Sequence, residues 1–286
     1  MRFGTLPVRA HLQSAAAPVS PAGPPPLVER ARLVDGVVYE LRWTPEVEAA
    51  LEETADVTPL PAGPRPFPAG ETARYQVRWL GGPMTVPAGE AVTEVEQSDD
   101  GGFRFTVHAT TANWMRPFFP ADDAFETRAD ARLFPSEYRI SLNEGRRHLT
   151  RTVVFDAIGR HLHITTGQTA VVTLPLARGA RDPVSAFFYV RTLPLAADFQ
   201  TRVPVDDAGQ RAILDLRVTG TEPLEIQGKR YDTWKLEPTL TSRAHRGQPI
   251  HATVWMSRDE RRIPLMVRVS GPFGAIELEL TTYHVR

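Results

Sequence analysis

The chain has 286 residues, 42% of them hydrophobic, which is enough apolar material for a substantial core in one large or two modest domains. Its 33 Lys and Arg nearly cancel its 34 Asp and Glu, and no block of like charge occurs, which argues against a nucleic-acid groove or a polybasic membrane patch. Cysteine is absent, which excludes disulfides, thiolate nucleophiles, Cys-ligated zinc and a lipidated Cys.

No stretch reaches the roughly 18 apolar residues of a transmembrane helix. The opening "MRFGTLPVRAHLQSAAAPVSPAGPPP" lacks the apolar run of about 7–15 residues that a signal peptide needs, so no export signal is expected in the chain as written. Twelve of the 26 prolines fall before Gly70, ten of them in "PVSPAGPPP" and "TPLPAGPRPFPAG". Each fixes φ and removes a backbone donor, so both runs read as extended linkers. Between them, "VVYEL" alternates like a strand, and Thr44 followed by Pro45 is a helix start, with Thr as N-cap and Pro at the first helical position. Two regions are expected: residues 1–70, a proline-rich segment with a docked strand and short helix, and residues 71–286, a β-barrel-like domain.

From Tyr75 onward the apolar period is 2. "FRFTV" puts Phe103, Phe105 and Val107 on one face, "AILDLRV" puts Ala212, Leu214, Leu216 and Val218 there, and "IELEL" sets Ile276, Leu278 and Leu280 opposite Glu277 and Glu279. Glycine and aspartate punctuate these runs at 98–102, 156–159, 206–209, 227–229 and 257–262. Glycine reaches positive φ freely and Asp bonds its own backbone, so these are hairpin connections. The pattern predicts an all-β fold of about ten antiparallel strands, a sandwich or a barrel; a barrel-like sheet, with room to stay open on one side, is favoured because closure removes exposed edges.

One segment breaks the alternation. In "RDPVSAFFYVRTLPL", Asp182 is a helix cap and Pro183 a first helical residue, Val184, Phe187, Phe188 and Arg191 share one helical face, and Pro194 ends it. A short central helix is expected near 183–191. Burial of one Phe is worth roughly 1.5–3 kcal/mol, so packing alone accounts for Phe187 and Phe188; the functional alternative is that they line an apolar cavity.

Candidate chemistry is sparse. Ser185 follows Pro-Val in the predicted helix, without the G-x-S-x-G turn that would expose a nucleophile. His161 and His163 lie at i and i+2 with His148 on the neighbouring strand, a weak zinc set. The alternative, with Leu162 and Ile164 turned to the core and both imidazoles to solvent, fits the alternation better. Asp99-Asp100, Asp122-Asp123 and Asp206-Asp207 are paired carboxylates, two of them in glycine turns that favour Asp. No phosphate-binding glycine motif occurs, and no cofactor is expected. Aromatic residues are the remaining signal: Trp114, Met115, Phe118, Phe119 and Phe125 cluster in a proline-broken stretch, and Trp79, Trp234 and Trp255 sit on predicted strands. A barrel of this size is either filled or holds an apolar ligand. The candidate ligand-binding set is Phe187, Phe188, Trp255, Trp114 and Phe118, with Arg261 and Arg262 of "SRDERRIP" either pairing at a hairpin turn or holding a headgroup.

"RDPVSAFFYVRTLPL" resembles the Asp-Pro-x-Ser-Ala-x-Tyr-Tyr-x-Arg segment of the uncharacterised bacterial family DUF3108. In the same order, "YQVRWLGGPMTVPAGEAVTEVE" resembles its opening hairpin, "LFPSEYRIS" its Leu-x-Pro strand, "VTGTEPLEIQGKRYDTWKLEP" its Gly-Lys hairpin and "VWMSRDERRIPLMVRV" its Trp-x-Ser-x-Asp-x-Arg-Arg-Ile-Pro hairpin, from about Tyr75 to Tyr283. "GGPMTVPAGE" is longer than the family's usual opening turn. The resemblance implies an exported, periplasmic or envelope-associated barrel-like protein with no established activity, and it transfers no catalytic residue. The expectation is a non-enzymatic protein binding a lipid, glycan or other amphiphile; the alternatives are a hydrolase or lyase acting on an envelope polymer, or an envelope assembly partner contacted through residues 112–128.

Overall fold

The computed structural model describes residues 29–32, 38–41, 60–167, 171–242, 249–271 and 274–286. Near the start, β1 (Glu29–Arg32) and β2 (Val38–Leu41) pair as an antiparallel hairpin. The helix start expected at Thr44 and Pro45 lies outside the described residues.

All other strands among the described residues belong to one 14-stranded antiparallel sheet. In chain order they are β3 (Glu71–Gly81), β4 (Met84–Gln97), β5 (Phe103–Thr111), β6 (Asp122–Ala129), β7 (Pro135–Glu144), β8 (Arg147–Asp156), β9 (His161–Thr166) and β10 (Val171–Pro175). The helix α1 (Pro183–Thr192) follows, then β11 (Gln200–Asp207), β12 (Gln210–Ile226), β13 (Lys229–Ser242), β14 (Ile250–Ser257), β15 (Pro264–Gly271) and β16 (Gly274–Val285). Neighbours in sequence are neighbours in the sheet, and β16 returns to pair with β3. The sheet therefore stays open between β10 and β11, the two strands that α1 connects. All five turn segments read from the sequence fall between paired strands.

The count of about ten strands falls short of 14. Asp122–Ala129 is one strand that the sequence pattern hides: the prolines around it mask its alternation, and its order comes from pairing on both sides with β5 and β7. The long "GGPMTVPAGE" segment resolves into a tight turn, Gly81 opposite Met84, with Gly82 at a φ of 57°. Its extra length is a bulge at Ala88, facing the Val77–Arg78 step. Further register shifts occur in β12–β13, β14–β15 and β16–β3. Each bulge adds local twist, which helps coil a sheet this wide onto itself.

α1 begins as its sequence requires. The Asp182 carboxylate accepts from the Val184 and Ser185 amides at 2.8 and 3.0 Å, and from the hydroxyls of Ser185 at 2.6 Å and Thr127 at 2.7 Å. These bonds cap the helix and tie it to β6. Ser185 is thereby occupied inside the first turn. The helix ends at Leu193, one residue before Pro194, whose ring disfavours helical geometry there.

Phe188 carries the packing. Its ring stacks on Phe105 at 4.1 Å, Phe105 stacks on Phe103 at 5.7 Å, and Phe67 stands edge-on to all three at 5.4–5.7 Å. Such pairs add roughly 0.5–1.5 kcal/mol beyond area burial. Phe67 belongs to the second proline run, so this part of the stretch expected as a linker packs into the core. The same stretch accepts a hydrogen bond from the Tyr189 hydroxyl at the Leu60 carbonyl, 2.5 Å away. A second, smaller core gathers Ala73, Tyr75 and Leu280 with Ile263, Leu265 and Ile226.

Candidate functional site

α1 crosses the concave side of the sheet. At one end, beside the cap bonded to β6, Arg181 pairs in parallel with Val205 of β11. At the other end Arg191 and Glu71, only 1% and 2% exposed, form a bidentate ion pair at 2.5 and 2.9 Å. Arg191 also donates to the carbonyls of Arg262 at 3.0 Å and Arg261 at 2.9 Å in the β14–β15 turn. In return the Arg262 guanidinium donates to the Arg191 carbonyl at 2.9 Å and to the Leu193 carbonyl. The helix is latched at both ends.

Beyond the helix, burial decays on the same concave face along β3, β5, β6, β7, β15 and β16. On β3, Ala73 and Tyr75 are buried while Val77 and Trp79 are half-buried. Phe103 and Phe105 give way to half-buried Val107 on β5, Ala129 and Thr127 to Phe125 on β6, and Tyr138 and Ile140 to Leu142 on β7. On β15 and β16, Leu265 and Leu280 are buried but Val267 and Leu278 are half-buried. Register places Val77 beside Leu278, Leu278 beside Val267, and Val107 beside Phe125. The concave face thus ends in an apolar mouth in partial contact with water. Trp79 packs over Gly81, and its enclosed indole N–H has no hydrogen-bond partner among the described residues.

Two loops stand at this end. The β3–β4 turn exposes Met84, and the β5–β6 connection carries Trp114 and Phe118, which are 51% and 83% exposed. That connection is held by the Ala112 amide donating to Ala88 at 2.8 Å and the Trp114 indole donating to Pro87 at 3.0 Å. Trp114 and Phe118 lie at the rim.

The other candidates separate. Phe188 is enclosed in the aromatic stack, and half-buried Phe187 stands edge-on to it at 5.4 Å. Trp255 alternates with core residues Val254 and Met256, so it lies on the convex face, between Lys235 at 5.8 Å and Arg268 at 5.3 Å. Arg262 is part of the helix latch. Arg261 leaves only its backbone there; its guanidinium lies 5.8 Å from the Tyr283 ring. Leu162 and Ile164 enter the core, and the His161 and His163 rings sit 6.3 Å apart on the opposite face. His148 bonds Asn143 at 3.0 Å, beyond the last β8–β9 pair at Arg151, and does not join them. Among the described residues no three potential metal ligands gather.

The seam between β10 and β11 concentrates buried charge. The Asp206 carboxylate is raised to about 6 by burial, one oxygen accepting from the Gly209 amide at 2.6 Å and the other, 3.8 Å from Arg211, without a hydrogen bond among the described residues. Arg211 in turn donates to the Pro175 carbonyl of β10 at 2.5 Å. Nearby, burial lowers Arg181 to about 10; its guanidinium is sandwiched between Phe134 and Tyr189 at 4.2 and 3.9 Å.

Sequence reasoning missed Glu71, the counter-ion of Arg191, and the mouth residues Val77, Leu142 and Val267. Alternation marked their strands, but a period of 2 assigns a face and cannot tell how far along it a covering helix reaches.

A search among curated proteins gave no significant match. Among solved structures, the chain is similar to a β-barrel-like protein of the domain of unknown function DUF1849 from Brucella abortus, with a TM-score of 0.56 and 12% identity over 76% of this chain and 97% of that one. A protein with a YmcC-like fold from Bacteroides fragilis gives a TM-score of 0.31 and 10% identity over 78% and 99% of the two chains. The lipoprotein LppX of Mycobacterium tuberculosis gives 0.25 and 13% over 84% and 96%. The first of these likenesses supports the barrel-like fold. Residues 74–281 match the model described as a protein of unknown function, DUF3108, and with most of its length covered the chain belongs to that family.

Proposed function

We propose that this protein is a non-enzymatic component of the cell envelope that binds an amphiphile, with the apolar part of the ligand lying in the mouth between β3–β7 and β15–β16. The observation that carries the reading is the half-buried concave surface formed by Val77, Trp79, Val107, Phe125, Leu142, Val267 and Leu278. A soluble domain rarely leaves a contiguous apolar surface wet unless a partner or ligand covers it. Phe187 supplies part of the floor, Trp114 and Phe118 a rim that touches the ligand as it enters. Envelope placement rests on what the family resemblance implies, and no described helix is long and apolar enough to cross a membrane.

Uptake of the neutral fluorophore 1-N-phenylnaphthylamine tests the mouth. Leu278→Glu or Phe125→Glu should weaken uptake at least tenfold, because each puts a carboxylate into the apolar surface. Val154→Glu, a charge placed at an exposed convex position, should leave it unchanged. Equal uptake by all four proteins would refute the assignment.

A further inference from the structure

A second cleft lies at the other end of the molecule, where α1 is latched. It encloses about 410 Å³ between the tip of the β12–β13 hairpin, the β14–β15 turn and the end of β16. That volume falls in the range of small-molecule sites, roughly 300–1,000 Å³. Its floor is apolar and buried: Ile226, Ile263, Leu265 and Leu280. Tyr231 and Tyr283 form the walls, and the Tyr283 hydroxyl is held by Glu71 at 3.0 Å, which fixes that ring.

Two cations stand over these walls, Lys229 at 4.8 Å from the Tyr231 ring and Arg261 at 5.8 Å from that of Tyr283. Among the described residues neither side chain has a carboxylate within ion-pair distance. Asp259 also lines the cleft, but its carboxylate is committed to the Ser257 hydroxyl at 2.6 Å and to the Arg261 and Arg262 amides at 3.2 Å. An apolar pocket with two uncompensated cations at its rim suits a ligand with an apolar body and an anionic head.

We infer that this cleft binds an acidic single-chain amphiphile, its carboxylate or phosphate held by Arg261 and Lys229 and its chain laid on Ile226, Leu265 and Leu280. Arg is suited to either headgroup through its paired donors, Lys as a point charge. The inference does not rest on the mouth reading, and Phe125, a mouth residue packed against the other core cluster, separates the two experimentally.

Titration calorimetry with decanoate, decyl phosphate and decanol, on the wild-type chain and on Lys229→Gln/Arg261→Gln, tests the inference. At least one acid should bind tenfold or more tighter than decanol, and the double variant should erase that margin without moving the thermal midpoint, since neither side chain holds the fold together. Which acid gains more identifies the headgroup. Added salt should weaken the acid at this exposed rim. The mouth variant Phe125→Glu, whose side chain packs against the other core cluster, should retain the margin. If neither acid exceeds decanol, or if the double variant keeps the margin, the cleft is not an acid site; loss of the margin in Phe125→Glu alone would move the ligand to the mouth.

Discussion

Arg191→Met offers the sharpest test of how the helix is held. The substitution keeps an unbranched apolar stem but removes both bonds to Glu71 and the donations to the Arg261 and Arg262 carbonyls. Among the described residues Glu71 would keep only the Tyr283 hydroxyl at 3.0 Å, leaving a carboxylate buried without a cation. Removing one member of a buried pair costs about 3–5 kcal/mol, chiefly the desolvation of the charge left behind. Against a typical domain stability of about 5–15 kcal/mol, that loss should be plain as a lowered urea midpoint with an unchanged slope. Glu71→Met/Arg191→Met removes the stranded carboxylate as well and should recover a large part of the deficit. A single-variant loss below about 1 kcal/mol, the scale of exposed pairs, would refute the view that this latch fixes α1. So would a double variant no more stable than Arg191→Met.

Two further expectations concern the core and the seam. Phe188→Ala removes the ring stacked at 4.1 Å on Phe105 and should cost about 3–5 kcal/mol by denaturant melt, with a smaller loss for Phe188→Leu. Asp206 is raised from 3.8 to about 6 by burial, so the native chain favours the neutral acid. Its stabilising contribution is complete below about pH 4 and is lost as pH rises through about 6, an effect on the order of 3 kcal/mol. Asp206→Asn should therefore stabilise the protein at pH 7.5 and flatten its stability profile between pH 4 and 7, measured by urea melts across that range. A variant profile parallel to wild type would count against the assignment.

Much of the fold could be read from local chemistry. Alternation in "FRFTV", "AILDLRV" and "IELEL" gave strands with the expected core faces, Asp and Gly clusters gave the hairpins, and Asp182-Pro183 gave the helix start almost to the residue. The candidate site was less legible. Trp79 and Trp255 both sit in alternating strands, yet one lies in the concave mouth and the other on the convex face. Phe67, in a proline run that reads as linker, closes the aromatic stack.

Sequence by itself determined which segments become strands, turns and helix, because propensity, capping and hydrophobic period act over a few neighbouring residues. Only the tertiary structure decided that the sheet stays open at β10 and β11, that α1 spans its concave side, and that Arg191 meets Glu71 across 120 residues of chain. Those outcomes depend on twist, bulges and long-range burial, which no local pattern encodes. The mouth exists because one short helix covers only part of a wide sheet.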